Sequence, residues 1–257
     1  MQAKKQKIII GNWKMNPLSI GEAKEIFLGV KKVATSLTNV KTVICPPFVY
    51  LSLLNKLYTD EVIAFGAQNV FWDTKGAFTG EISAPMIKSV GGSFVIVGHS
   101  ERRNMGETDE VVQKKTALAL RSGLTAVVCI GEKERDKDGN FFHFLKGQIR
   151  ESLKGLHKKH LERIVIAYEP IWAINKSDKD AMSPGDLREM AIFIRKNLVD
   201  HFKTASAASI SILYGGSASS STAKELVGGG QVDGLLVGHQ SLDVTNFSDI
   251  LKTVNAL

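Results

Sequence analysis

Cysteine is scarce in this chain, with two in 257 residues, Cys45 and Cys129. Each lies inside an apolar run, Thr42-Val43-Ile44-Cys45 and Val127-Val128-Cys129-Ile130, so both are expected as buried thiols on separate strands. That excludes a disulfide framework and suits a reducing compartment. Neither cysteine has a Cys or His partner at ligand spacing, so no metal site is expected. Long apolar runs are missing as well, and nothing approaches the roughly 18 residues that span a bilayer. The basic start, residues 1–7, is followed only by Ile8-Ile9-Ile10. A signal peptide needs an apolar core of roughly 7–15 residues. The expectation is a cytoplasmic protein with no membrane partner. There is no Pro- or Ser-rich linker, and no basic run interleaved with aromatics. The net charge of +7 comes from dispersed lysines such as Lys31-Lys32, Lys114-Lys115 and Lys158-Lys159, which read as solvated faces, so no nucleic-acid partner is expected.

What the chain does contain is a regular alternation. Short apolar runs at 7–10, 42–45, 62–65, 94–97, 126–130, 164–167, 210–213 and 234–237 read as strands. None alternates apolar with polar, so both faces should be covered, as in parallel sheets. Helical periodicity fills gaps between them, at 21–37, 109–121, 186–202 and 245–254, with Pro184 suiting a helix start. Eight strand–helix units without a linker predict a single (β/α)8 barrel over 1–257. An open doubly wound sheet would want a Gly-x-Gly-x-x-Gly turn after its first strand, and Gly11-Asn12-Trp13-Lys14 is not one.

Polar groups cluster just past the strands: Asn12 and Lys14, Gln68 and Asn69, His99, Glu132, Glu169, Gly215-Gly216-Ser217, and Gly238. Parallel strands would gather them at one end of the barrel, where barrel active sites are built. An amide, an ammonium, an imidazole and a carboxylate together can move a proton beside a carbonyl on an anionic substrate.

Six segments carry a resemblance. They are Gly11-Asn12-Trp13-Lys14-Met15-Asn16, Gly76-Ala77-Phe78-Thr79-Gly80-Glu81-Ile82-Ser83, Val97-Gly98-His99-Ser100-Glu101-Arg102-Arg103, Cys129-Ile130-Gly131-Glu132, Ala167-Tyr168-Glu169-Pro170-Ile171-Trp172-Ala173-Ile174 and Tyr214-Gly215-Gly216-Ser217. In this order and spacing the chain resembles the triosephosphate isomerase family along its whole length. The resemblance implies interconversion of dihydroxyacetone phosphate and glyceraldehyde 3-phosphate, in glycolysis and gluconeogenesis, without cofactor. It implies Glu169 as the base, His99 as a neutral electrophile, and Asn12 and Lys14 as donors to substrate oxygens. Glu101 would support Lys14 and His99, and backbone N–H groups at Ser217 and Gly238 would hold the phosphate. Residues 174–181 would form a lid with Trp172 at its hinge. Tyr214 and Ser217 would latch it, and Ile174 and Leu236 would press on Glu169. Thr79 would reach the neighbouring subunit of a homodimer, with Phe71, Trp72 and Phe78 exposed around it.

The chain also departs from the family. Its lid segment is two residues longer than usual and lacks both usual glycines, so Asn175 is expected to copy one glycine's backbone at the phosphate and the lid to close with altered kinetics. The usual Gly-Gly after strand eight is Gly238-His239, which adds an imidazole beside the phosphate site. Arg103-Asn104-Met105-Gly106-Glu107 is one residue short near the subunit contact. Two other readings stand beside this one: another phosphosugar isomerase on the same barrel, or a binding protein that lost a working lid.

Overall fold

The computed structural model describes residues 5–58, 62–174 and 182–257. Eight parallel strands close into a barrel in sequence order: β1 (Lys7–Asn12), β2 (Val40–Cys45), β3 (Ile63–Ala67), β4 (Gly92–Val97), β5 (Thr125–Ile130), β6 (Ile164–Tyr168), β7 (Ser211–Tyr214) and β8 (Gly234–Val237). Pairing of Ile8 with Gly234 and Gly11 with Val237 joins the last strand to the first. The expected (β/α)8 architecture is therefore the observed one. Around it run α1 (Ile20–Ala34), α2 (Phe48–Lys56), α3 (Ala84–Ser89), α4 (Ser100–Asn104), α5 (Asp109–Arg121), α6 (Asn140–Ser152), α7 (Pro184–Phe202), α8 (Ala223–Gly229) and α9 (Val244–Asn255). Among the described residues no helix is long and apolar enough to cross a membrane.

Strand parity sorts the core into two layers. Ile10, Val43, Phe94, Ile96, Val127, Val165, Leu213 and Leu236 point inward and fill the barrel, with Cys45 and Cys129 among them as buried free thiols. Their neighbours Ile9, Ile44, Val95, Val128, Ile166, Ile212 and Leu235 point outward and pack under the helices. Both faces of every strand are covered, which is why the strands read as continuous apolar runs. Helix starts are fixed locally: Ser19, Thr108, Ser183 and Asp243 each accept a backbone N–H from their helix's first turn.

Two sequence expectations need correcting. α1 stops at Ala34 rather than running to 37. Thr35 Oγ1 donates to Lys31 O and Ser36 Oγ to Val33 O, so side chains compete with the helical ladder there. Phe71 is buried, not exposed, stacked at 4.1 Å on Trp72 and tilted against Phe78 at 4.4 Å.

Candidate active site

The same parity that fills the barrel aims the chemistry. Val165 and Ala167 point inward on β6, so Glu169, two residues on, also turns toward the axis. On β1, Ile8 and Ile10 place Asn12 inward in the same way. After β4 the chain turns through Gly98 at φ 68°, a left-handed conformation that suits glycine, and delivers His99 to the start of α4. Gly215 lets β7 pass the base, because a Cβ there would stand 2.7 Å from Glu169 Cγ.

Together these elements enclose a cavity of about 340 Å³. Asn12, Lys14, His99, Glu169, Ile174, Ser217, Leu236, Gly238 and His239 all line it. Asn12, His99 and Glu169 are buried, and His239 is exposed at the rim. Thr79 does not line this cavity and lies exposed in the loop after β3. Tyr214 points outward into the layer under the helices; burial pushes its phenol up to about 12. Asn175 lies outside the described residues.

The protonation of His99 follows from one contact. Glu101 N–H donates to His99 Nδ1 at 3.2 Å. A backbone N–H can only donate, so Nδ1 carries no proton and the neutral ring carries its proton on Nε2. That Nε2 stands 3.3 Å from Glu169 Oε1. The other carboxylate oxygen, Oε2, accepts from Ser100 N at 3.1 Å. Burial, and then the Glu169 carboxylate, push the Cys129 thiol well above its usual range, so Cys129 stays neutral in the barrel core.

Lys14 occupies a strained backbone conformation at φ 55°. Several contacts hold it there. Asn12 Oδ1 accepts from Lys14 N at 3.1 Å, and Gln68 Nε2 donates to Lys14 O at 2.8 Å and to Cys45 O at 2.9 Å. The ammonium donates to Glu101 Oε1 at 2.7 Å, and its Cε lies 3.3 Å from where a Cβ on Gly238 would stand. Positive charge is thus fixed beside Gly238.

Behind the cavity, Glu132 Oε1 accepts from Tyr168 Oη at 2.8 Å, from Trp172 Nε1 at 2.8 Å and from Arg135 Nε at 3.3 Å. Burial, and then Glu132, raise the Tyr168 phenol, so it remains a donor. The Arg135 guanidinium also lies 5.2 Å from the rings of Trp172 and Phe141. Ser100 N–H and Arg135 are supports that sequence reasoning did not single out, and Gln68 was given no role there. Gln68 stood in the strand-end polar cluster, whereas Ser100 acts through backbone and leaves no sequence signal.

The sequence model described as triosephosphate isomerase matches residues 7–254. A triosephosphate isomerase of Endomicrobium trichonymphae is 41% identical over 250 residues, covering 96% of this chain and 98% of its own. One of Cytophaga hutchinsonii is 42% identical over 257 residues, covering 97% and 99%. The crystal structure of triosephosphate isomerase from Bartonella henselae superposes with a TM-score of 0.82 at 36% identity, covering 96% of this chain and 98% of that one. With this barrel, this cavity and these relatives, the chain belongs to the triosephosphate isomerase family.

Proposed function

We propose that the chain interconverts dihydroxyacetone phosphate and glyceraldehyde 3-phosphate through an enediolate, with Glu169 as the base. The observation that carries this reading is the pairing of a buried carboxylate with a neutral imidazole whose Nε2–H faces the same cavity. Glu169 takes the proton from the carbon beside the carbonyl. The electron pair moves onto the carbonyl oxygen, where His99 Nε2–H, Lys14 and Asn12 stabilise the developing charge. The substrate's hydroxyl proton passes to the former carbonyl oxygen, with His99 Nε2 as relay, and Glu169 returns its own proton to the neighbouring carbon, so the new carbonyl forms where the hydroxyl stood. To reach either carbon Glu169 must leave Ser100 N–H, because His99 and Glu169 now nearly touch and the substrate has to enter between them. No electrons leave the substrate, so the reaction as written uses no cofactor. The N–H groups of Ser217 and Gly238, with Lys14 beside them, are the proposed phosphate site, with His239 at its edge; Ser217 N–H donates to Ala173 O at 3.2 Å here and has to leave that carbonyl to take the phosphate. Closure over the substrate by 174–181, with Trp172 at the hinge and Tyr214 and Ser217 as latch, belongs to this proposal, and 175–181 lie outside the described residues.

The proposed assembly is a cytoplasmic homodimer. Met15 and Leu18 follow β1, Val49 follows β2, Trp72 and Phe78 follow β3, and Met105 follows β4; all are exposed, Leu18 at 92%. Consecutive strands put these loops side by side, and such an apolar rim supports a partner surface.

The test is a coupled assay of glyceraldehyde 3-phosphate isomerisation, with Glu169→Gln alongside. Fast turnover that the substitution lowers by several orders of magnitude is expected. Wild-type turnover no better than the variant's would overturn the assignment in favour of a binding protein. Sedimentation giving a monomer at micromolar concentration would overturn the dimer.

A further inference from the structure

The entry face of the barrel, where strands begin, carries charge that catalysis does not use. α5 ends in a turn where Gly123 N–H donates to Leu120 O at 3.1 Å and Leu124 N–H to Ala119 O at 2.9 Å, with Gly123 at φ 81°. Two cations from neighbouring units converge on that glycine. Lys88 Nζ, from the last turn of α3, lies 3.2 Å from where a Cβ on Gly123 would stand. Arg163 Nη1, from the 3-10 turn that leads into β6, lies 3.5 Å from the same point. No other heavy atom of the described residues outside the glycine's own neighbours comes within 4 Å of it.

We propose that Lys88 and Arg163 around Gly123, with His160 steadying the guanidinium, form an anion site, separate from the active site, for the phosphate group of a small molecule. Like charges brought together need a counter-charge. Among the described residues neither Lys88 nor Arg163 has a carboxylate partner. The end of α5 supplies roughly half a negative charge through its free carbonyls, which two full positive charges clearly exceed. The surrounding sequence deepens the field: residues 154–163 include Lys154, Lys158, Lys159 and Arg163 against one acid, Glu162.

The guanidinium is also set in place. Arg163 Nη2 donates to His160 Nδ1 at 3.0 Å; arginine has no acceptor, so the imidazole must accept. His160 therefore holds Arg163 with Nη1 toward Gly123. Burial, and then the charges of Arg163, Lys159 and His157, hold the His160 pKa below its usual value. The two cations meet at one point over a bare glycine. That favours a compact oxyanion over an extended polymer.

The experiment is equilibrium dialysis of the full chain with radiolabelled inorganic phosphate. Two sites per chain are expected in the wild type, one of them the active site. Lys88→Gln/Arg163→Gln should leave one site, with kcat and KM for triose phosphates unchanged. Lys88→Gln alone, an exposed change that should not touch folding, should weaken the second site at least tenfold. A single site in the wild type, or two sites surviving in the double variant, would overturn the proposal. Repeating the titration with ribose 5-phosphate identifies the source. Equal affinity supports the free ion, tenfold tighter binding supports a phosphorylated metabolite, and no second site with either probe overturns the assignment.

Discussion

His99 Nε2 and Glu169 Oε1 stand 3.3 Å apart, with the other carboxylate oxygen held by Ser100 N–H at 3.1 Å. The proposed acid and base thus occupy the place that the substrate's reacting carbons must take. Reaction requires the carboxylate to swing away, and its reach decides whether it arrives.

Glu169→Asp shortens that reach by one methylene, and misplacement of about 1 Å can cost 10²-fold in rate. The expected result is kcat lowered by about 10²- to 10³-fold with KM changed little, measured in the coupled assay. A variant with near wild-type kcat would show that the carboxylate does not travel.

Lys14 depends on Gln68 in a way that kinetics can read. Gln68 donates to the carbonyls of Lys14 and Cys45; Gln68→Met takes the donor from Lys14 O, while Cys45 O keeps Trp13 N–H at 3.1 Å. An unsatisfied group costs about 1–3 kcal/mol when buried. A lower unfolding free energy is expected, together with a fall of about tenfold in kcat/KM as Lys14 leaves its strained conformation. Stability lost with kcat/KM intact would confine Gln68 to a structural part.

The barrel was legible because its strands are covered on both faces and so read as apolar runs. Asn12, His99 and Glu169 were legible as strand-end residues, and parity then accounts for two of them. Other parts depend on the closed barrel. Gln68 meets Lys14 and Cys45 only because β1, β2 and β3 lie side by side, and the φ of 55° at Lys14 has no sequence mark. The end of α1 was misplaced because Thr35 and Ser36 spend their hydroxyls on the last carbonyls. Phe71 was taken as exposed because its stacking partners, Trp72 and Phe78, come together only through the fold of their loop.

His239 lines the rim of the cavity from an exposed position. A contact between a charge and so exposed a group is worth about 1 kcal/mol or less. His239→Gly should therefore shift KM by no more than about fivefold and leave kcat in place. Loss of kcat by orders of magnitude would make the imidazole integral to the site.

Trp172 is tied to Glu132 through its indole N–H, while Arg135 lies over its ring. Trp172→Phe keeps a ring for Arg135 but removes the donor. A stability loss of about 1 kcal/mol is expected from the missing hydrogen bond. If the hinge depends on this tie, kcat falls about tenfold while the pH–rate profile keeps its shape. A displaced profile would mean that the indole acts on the base itself, contrary to the hinge assignment.

Glu107 and Lys115 form a buried ion pair, each side chain 3% exposed, and Lys115 also donates to Asn69 Oδ1 at 2.8 Å. Glu107 Oε1 accepts from Gly98 N at 3.0 Å, so the pair anchors the turn that presents His99. Desolvation opposes ionisation of Glu107, but Lys115, Arg102 and the Gly98 N–H outweigh it and hold its carboxyl below the usual value. A carboxylate with a lowered folded-state pKa adds stability that is present above the ordinary carboxylate range and is lost as pH falls through the folded value. Glu107→Gln keeps an acceptor for Gly98 but leaves Lys115 buried without its counter-charge. The expected cost at neutral pH is about 3–5 kcal/mol. That gap should narrow as pH falls below about 4.5, the unperturbed value for glutamate, because the unfolded wild-type chain then takes up the proton before the folded carboxyl does, and it should close once the folded carboxyl is protonated as well. Glu107→Leu/Lys115→Met, which removes both charges, should recover much of the loss at neutral pH. The measurement is urea unfolding of all three proteins at fixed chain concentration across the acid range. A gap between wild type and Glu107→Gln that stays constant with pH would show that packing at this site, rather than its charge, supports the loop carrying His99.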